Sequence, residues 1–81
     1  MKNKEDVMIY ASSKGCTEVV KFLLESGVDP NAREEEQNRD TALMKAVKNN
    51  HKDVVKLLLD TGADVNAKDK YGLITGSLFA E

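Results

Sequence analysis

The segment VVKFLLESGVDPNA at residues 19–32 returns 35 residues later as VVKLLLDTGADVNA at residues 54–67. Nine of the 14 positions are identical, and the others are mild exchanges such as Phe22 for Leu57. A chain that repeats itself at a fixed period of this size is usually a stack of small structural units. The repeat therefore predicts a stacked architecture with two comparable units.

Size and charge exclude several functional classes. The chain has 81 residues and a net charge of about −2, with 32% charged and 41% apolar residues, which allows one small domain with a marginal core. The charges are mixed, so no field of one sign attracts nucleic acid or an anionic membrane surface. No apolar segment is long enough for a signal peptide or a membrane span. The only cysteine, Cys16, excludes an internal disulfide. We expect a cytoplasmic protein.

The apolar residues of the repeated segment follow a helical spacing. Val19-Val20 and Leu23-Leu24 recur as Val54-Val55 and Leu58-Leu59, which places one apolar stripe on a helix in each unit. Thr17 is predicted to be the N-cap of the first of these helices. Gly27 and Gly62 follow the helices and are predicted to end them in the left-handed conformation.

A further helix is predicted before each of these. In the second unit it covers about 40–49, with Asp40 or Thr41 as its cap and Ala46 on its apolar face. In the first unit Val7, Met8 and Ala11 hold the matching places. Alanine at 11 and 46 allows two helices to approach closely. Gly15 and Asn50 lie at equivalent points of the helix-to-helix turns, and both residue types tolerate a positive φ.

The combined pattern resembles the ankyrin-repeat family, whose unit has a Thr-Pro-Leu-His-x-Ala start, a Gly-His turn, a Val-Val-x-x-Leu-Leu stripe and a Gly-Ala-Asp-x-Asn-Ala ending. The second unit matches it with Thr41-Ala42-Leu43-Met44-Lys45-Ala46, Asn50-His51, Val54-Val55, Leu58-Leu59 and Gly62 to Ala67. The first unit keeps Ala11, Gly15, Val19-Val20, Leu23-Leu24, Gly27 and Asn31-Ala32 but lacks the start motif. The resemblance covers about 5–72.

The resemblance implies an all-α, ankyrin-like helix-turn-helix solenoid: two full repeats with a short C-terminal capping stub, forming a single domain over 1–81. The period of 35 exceeds the usual 33, and we place the two extra residues in an extended hairpin loop. The boundaries are about 5–32 for repeat 1 (the first unit), 33–39 for the loop, about 40–67 for repeat 2 (the second unit) and 68–81 for the truncated repeat or cap.

The truncated third repeat leaves the end of the stack open. A stack normally needs at least three repeats, with polar caps, to bury the apolar faces of its units. We expect the stub, through Leu73, Ile74, Leu78 and Phe79, to fold back as a cap over the second unit. The alternatives are pairing with another copy through the C-terminal end, which would give a homo-oligomer, and membership of a longer array.

The sequence offers no catalytic or cofactor-binding constellation. Cys16 and His51 occupy equivalent places in consecutive units, so the stack should hold them about 8–10 Å apart, whereas a nucleophile and its base need about 3 Å. We expect a structural role for His51 and a semi-buried packing role for Cys16. One histidine and one cysteine cannot form a zinc site, and Glu34 to Glu36 are interpreted as a solvated loop rather than a calcium site. Phosphate-binding glycine motifs are absent. We therefore expect no enzyme activity, no metal and no cofactor.

The remaining candidate is a protein-binding surface. In the family, partners are bound by the concave helix face and the hairpin tips. By position, the resemblance implies partner-binding residues on the first helix of each unit and on the tips: Tyr10, Ser13, Lys14, Lys45, Lys48, Asn49, Glu34, Glu35, Gln37, Arg39, Lys70 and Tyr71. Lysines beside the acidic tip favour a partner with both signs of charge, with an acidic segment next to the lysines. The predicted function is a non-catalytic protein–protein interaction module; the alternative is a self-associating structural unit.

Overall fold

Four helices form two hairpins that lie side by side. The computed structural model describes residues 3–34 and 39–68. Its helices are α1 (Lys4–Lys14), α2 (Thr17–Glu25), α3 (Ala42–Lys48) and α4 (Lys52–Asp60). Helix α1 packs against α3 and α2 packs against α4, while each hairpin also packs within itself. The predicted all-α helix-turn-helix architecture is confirmed.

The core lies between the four helices and combines both units. Ala11 and Ala46 are buried, and their small side chains allow α1 and α3 to pack closely, as predicted. The second unit contributes a complete start segment, since Ala42, Leu43 and Met44 are all buried. The other buried apolar residues are Met8, Ile9, Val20, Leu23, Val28, Val54 and Leu58.

The first unit buries less of its apolar surface than the sequence predicts. Val7 is 41% exposed and Val19 is 43% exposed, although both belong to the apolar helix faces that the sequence predicts. Among residues 3–34 and 39–68, neither side chain is fully covered. Helical periodicity predicts an apolar stripe but not which part of it has a neighbour.

The helix starts differ partly from the sequence predictions. Thr41 is the N-cap of α3, because its hydroxyl accepts a hydrogen bond from Met44 N at 3.2 Å. For α2, however, Cys16 occupies the N-cap position without a side-chain hydrogen bond, and Thr17 is already helical. The Thr17 hydroxyl points back to Gly15 O because the turn after α1 is one residue tighter than predicted. Cys16 is exposed, so its predicted semi-buried packing role is also wrong.

The two helix-to-helix turns contact each other directly. Gly15 ends α1 with φ 77°, and Asn50 adopts φ 61° at the equivalent position. His51 Nε2 lies 3.0 Å from Ser13 O, and because a carbonyl oxygen can only accept, Nε2 is the donor. A Cβ atom on Gly15 would lie 2.6 Å from His51 Nδ1. Glycine at this position therefore provides both the left-handed backbone and the space for the imidazole of the next unit.

Asn31 links the segments that follow α2 and α4. Its Oδ1 accepts a hydrogen bond from Asp64 N at 2.6 Å, and its Nδ2 donates to Gly62 O at 3.3 Å. Asn31 N donates to Asp29 Oδ1, and Asn66 N donates to Asp64 Oδ1 in the same way. The repeated Asp-x-Asn motif thus forms the same turn in both units, and in the first unit the asparagine side chain also binds the second unit.

Arg33 adds another contact between the units. Its Nη1 donates to Lys68 O at 2.6 Å and to Arg39 O at 3.1 Å. Arg33 also forms an isolated antiparallel bridge with Thr41. The predicted 33–39 loop is therefore closed at its base like a hairpin. Residues 35–38 lie outside the described residues, and so does the predicted cap at 68–81 except for Lys68.

Replacing Gly15 tests the contact between the turns. We expect Gly15→Ala to lower the free energy of unfolding by about 1–3 kcal/mol, because alanine pays roughly 1–2 kcal/mol in the left-handed region and its Cβ overlaps His51. Urea unfolding followed by circular dichroism would measure the loss. The cost of Gly15→Ala should fall in a His51→Ala background.

Gly27→Ala is the matched control, because Gly27 also has a positive φ but no atom of the described residues lies within 4 Å of the added Cβ. Its cost should be the same with and without His51→Ala. An equal cost of Gly15→Ala in both backgrounds would show that the His51 ring does not constrain this position.

Asn31 and Asn66 provide a matched pair for the second contact. We expect Asn31→Ala to destabilise the fold by about 1–2 kcal/mol, because two hydrogen bonds between the units are lost at about 0.5–1.5 kcal/mol each. At low protein concentration, Asn66→Ala should change the free energy of unfolding by less than about 0.5 kcal/mol, since the Asn66 side chain has no hydrogen bond among the described residues. Equal losses in the two variants would contradict a linking role of Asn31.

Candidate protein-binding surface

Helices α1 and α3 pack against each other and, with the residue directly after α3, carry half of the predicted contact residues. We call these six residues the A-helix surface: Tyr10, Ser13 and Lys14 on α1, and Lys45, Lys48 and Asn49 at the equivalent places on or directly after α3. The packing of α1 on α3 brings the two sets together on one side of the stack. The six residues differ in how much of each is free to contact a partner.

Tyr10 and Lys14 form the most exposed part of the A-helix surface. Tyr10 is 64% exposed, and Lys14 Nζ lies 5.5 Å from the centre of its ring. A cation at this distance from an aromatic face is weakly attracted to it. The pair thus presents an aromatic side chain that is partly ordered by the neighbouring charge.

Ser13 and Asn49 serve the fold as well as the surface. Ser13 is half-buried, and its carbonyl accepts the hydrogen bond from His51. Asn49 is exposed, and its Nδ2 donates to Lys45 O at 2.8 Å, which satisfies a carbonyl near the end of α3. The backbone of Ser13 is therefore committed to contact between the units, although its side chain lies at the surface.

Lys45 and Lys48 are bound to acidic groups of their own chain. Lys48 Nζ lies 3.0 Å from Asp40 Oδ2, and Lys45 Nζ lies 3.5 Å from the same oxygen. Lys45 Nζ is also 3.7 Å from Glu34 Oε1. The two ammonium groups and two carboxylates form one cluster, which we call the Asp40 cluster. The lysines are therefore locally neutralised rather than available as a purely basic patch.

Asp40 is the buried centre of this cluster. Its side chain is 1% exposed, although it lies directly before the helix cap Thr41. Its backbone is held by Glu34, which donates N–H to Asp40 O at 3.0 Å and accepts from Asp40 N at 3.3 Å. Asp40 Oδ1 has no hydrogen-bond partner in the part of the chain that the structure describes. Buried carboxylates need paired charges, so Asp40 orients both lysines.

The tip residues divide into three groups. Glu34 is half-buried in the Asp40 cluster, so its interpretation as part of a solvated loop is wrong. Arg39 is exposed, with φ 55° and its carbonyl bound to Arg33. The other predicted tip contacts lie outside the described residues: Glu35, Gln37, Lys70 and Tyr71.

Sequence reasoning missed two residues of interest. The sequence predicts Asp40 only as a helix cap, although Lys45 and Lys48 follow it by five and eight residues, a spacing that can indicate an ion cluster. Phe22 reads as a mild exchange for Leu57 in the sequence, yet it is 67% exposed. A large aromatic residue where the other unit has leucine was the available signal.

The candidate chemical groups have structural surroundings. His51 binds Ser13 O and lies over Gly15, and Cys16 is exposed at the start of α2. Within 3–34 and 39–68, no three His, Cys, Asp or Glu side chains are grouped to hold a metal ion. None of the described helices combines the length and apolar character needed to cross a membrane.

Removing Asp40 tests the cluster. We expect Asp40→Ala to lower the free energy of unfolding by about 1–3 kcal/mol, because a buried carboxylate that accepts a hydrogen bond from Lys48 and forms an ion pair with Lys45 is lost. Glu34→Ala should cost less than about 1 kcal/mol, since its ion pair is longer and more solvated. Urea titrations of both variants at low and high salt would check the order. A larger loss for Glu34→Ala would place the centre of the cluster at Glu34 instead.

Comparison with known families gives one match. Residues 1–69 match the family model described as ankyrin repeats (3 copies), which covers most of the chain and both described units. No curated protein sequence matches the chain. Ankyrin repeats generally mediate protein–protein interaction and are typically non-catalytic.

Proposed function

This chain belongs to the ankyrin-repeat family, and we propose that it binds a partner protein through the A-helix surface and the adjoining hairpin tips, without catalysis of its own. Binding then follows from a preformed surface: the contacts between the units fix the positions of α1 and α3, and the partner meets side chains that are already placed. The family supports protein binding in general, and the choice of surface is our own inference.

The observation that carries the proposal is the exposed Tyr10 beside Lys14. Exposed tyrosines are typical anchors of protein interfaces, because the ring buries a large apolar area while its hydroxyl can still form a hydrogen bond. Lys14 lies against the ring, so part of the ordering cost is met before a partner binds. We infer that Tyr10 is the centre of the contact and that Asn49 and Lys48 lie at its edge.

The Asp40 cluster changes the expected charge of the partner. An acidic segment next to Lys45 and Lys48 would have to compete with Asp40 and Glu34, which already lie within 4 Å of the lysines. A partner segment that places an apolar or aromatic side chain on Tyr10 and one acidic group near Lys14 fits the surface better. We infer such a partner, in place of the strongly acidic segment expected from the sequence.

The proposed lack of catalysis rests on the surroundings of His51 and Cys16. A nucleophilic pair would need the imidazole as a base, whereas His51 Nε2 donates to Ser13 O and the other side of the ring lies at Gly15.

The proposed compartment is the cytoplasm, which follows from the single cysteine and the mixed charge of the sequence.

Partner capture with matched variants tests the surface. The immobilised protein would be compared with a Tyr10→Ala/Lys14→Ala variant, which leaves the Asp40 cluster and the contacts between the units intact. We expect at least about a tenfold loss of affinity for the captured partner, equivalent to roughly 1.4 kcal/mol. Titration calorimetry with the purified partner would give the value.

A Lys21→Ala/Lys56→Ala variant is the control, because it removes exposed residues of α2 and α4 away from the A-helix surface. It should retain the partner at wild-type affinity. Retention by the Tyr10/Lys14 variant together with loss in the control would move the binding surface to the other helix pair. Circular dichroism of both variants would establish that they are equally folded.

A further inference from the structure

The outer side of the first unit carries three exposed apolar side chains. Val7 on α1 and Val19 and Phe22 on α2 are 41%, 43% and 67% exposed. We call them the N-face. Val19 and Phe22 are three residues apart and therefore share one side of α2. One hairpin thus exposes three large apolar side chains, two of which lie on the same side of α2, and exposed apolar surface of this kind can mark an interaction site.

In the second unit, the positions equivalent to the N-face are buried or partly buried next to the first unit. The residues 35 positions later are Ala42, Val54 and Leu57. Ala42 and Val54 are completely buried and Leu57 is partly buried against the core. Val54 lines the same cleft as Gly15 and Thr17 of the first unit, so this side of α4 faces the preceding unit. The N-face is therefore equivalent to the surface that α3 and α4 place against the first unit.

Hydrogen-bonding groups show the same difference between the contact inside the chain and the outer sides of the two units. In the observed stack, Asn31 of the first unit binds Gly62 O and Asp64 N of the second. The equivalents of those two groups are Gly27 O and Asp29 N, and neither has a hydrogen-bond partner among the described residues. Asn66 is the equivalent of Asn31, and its side chain also forms no hydrogen bond there. The groups that form hydrogen bonds between the units thus have equivalents on both outer sides, and these equivalents have no hydrogen-bond partner among the described residues.

The outer side of the second unit is the counterpart of the N-face. Val55 is partly buried and Leu59 is 38% exposed, whereas their equivalents in the first unit, Val20 and Leu24, are fully and partly buried. We call Val55, Leu59 and Asn66 the C-face. Because the N-face and the C-face hold positions equivalent to the two sides of the contact between the units, they offer each other comparable apolar side chains and the same hydrogen-bonding groups, with Val7 and Phe22 in place of Ala42 and Leu57.

We propose that the N-face binds the C-face of a second copy of this chain, so that the copies associate head-to-tail and continue the stack. Asn66 of one copy then binds Gly27 O and Asp29 N of the next, as Asn31 binds Gly62 and Asp64 within the chain. The interface is heterologous, so further copies can add in the same way. Stacking leaves the A-helix surface accessible, since Tyr10 and Lys48 are exposed beside an existing unit-to-unit contact.

Two face-blocking variants test this arrangement. Phe22→Lys disables the N-face and Leu59→Lys disables the C-face, and both positions are exposed enough for the monomer to fold. Asn49→Lys is the control, because it adds the same charge at the A-helix surface, where the equivalent residue is Lys14. Sedimentation velocity from roughly 10 µM to 1 mM would cover the affinities expected of a small interface.

The wild type and Asn49→Lys should associate as concentration rises. Each blocked variant alone should show at least about a tenfold weaker self-association. An equimolar mixture of Phe22→Lys and Leu59→Lys should recover association and stop at a dimer, because only one intact N-face and one intact C-face remain.

Three results would overturn the proposal. A wild-type protein that stays monomeric at the highest concentration would show that the faces are covered by residues of their own chain or require a different unit. Self-association retained by Leu59→Lys but lost in Phe22→Lys would indicate pairing of two N-faces. A mixture of the blocked variants that stays monomeric would exclude the head-to-tail contact. None of these results bears on partner capture through Tyr10, so the two proposals can fail independently.

Discussion

Packing of one unit against the next is the constraint on which the rest of the structure depends. A single hairpin of two short helices cannot enclose its apolar stripe, and here the core includes residues of all four helices. The turns determine which part of one unit lies against which part of the next. His51 fits only over a residue without a side chain, and Asn31 reaches only the segment after α4. Apolar burial thus drives the stacking, while these polar contacts fix its register.

The Asp40 cluster connects this register to the surface. Asp40 is buried just before α3, and its position is fixed by Glu34 at the base of the hairpin. The same carboxylate then holds Lys45 and Lys48 on the exposed side of α3. Because a buried carboxylate is costly without opposite charges, the two lysines stabilise the fold as well as forming part of the surface. Their substitution would alter both, which makes Tyr10 and Lys14 the cleaner probes of binding.

The sequence predicted the features that repeat and missed those that depend on a neighbour. Helix positions, the left-handed glycines and the all-α stack followed from the 35-residue period, because local backbone preferences act the same way in both units. The exposure of Val7 and Val19 could not be predicted, since it depends on what lies beside a helix face. The role of Asp40 was missed because its lysines become neighbours only once the loop closes and α3 forms. The N-cap at Cys16 reflects a turn that is one residue tighter, which the threonine preference alone could not indicate.

Equivalent positions with different surroundings explain why the two described units have more surface suited to binding than the contact between them uses. Val54 and Val19 are the same residue at the same helix position, yet the first is completely buried and the second is largely exposed. The difference comes only from the unit that precedes α4. The contact between the two units shows that side chains at these positions can bind a unit of this shape. The equivalent positions on the outer sides therefore have the chemistry to bind a unit of another chain. Repetition therefore makes the internal interface a direct template for the external one, and the two faces involve other residues than Tyr10 and Lys14, which would hold a different protein.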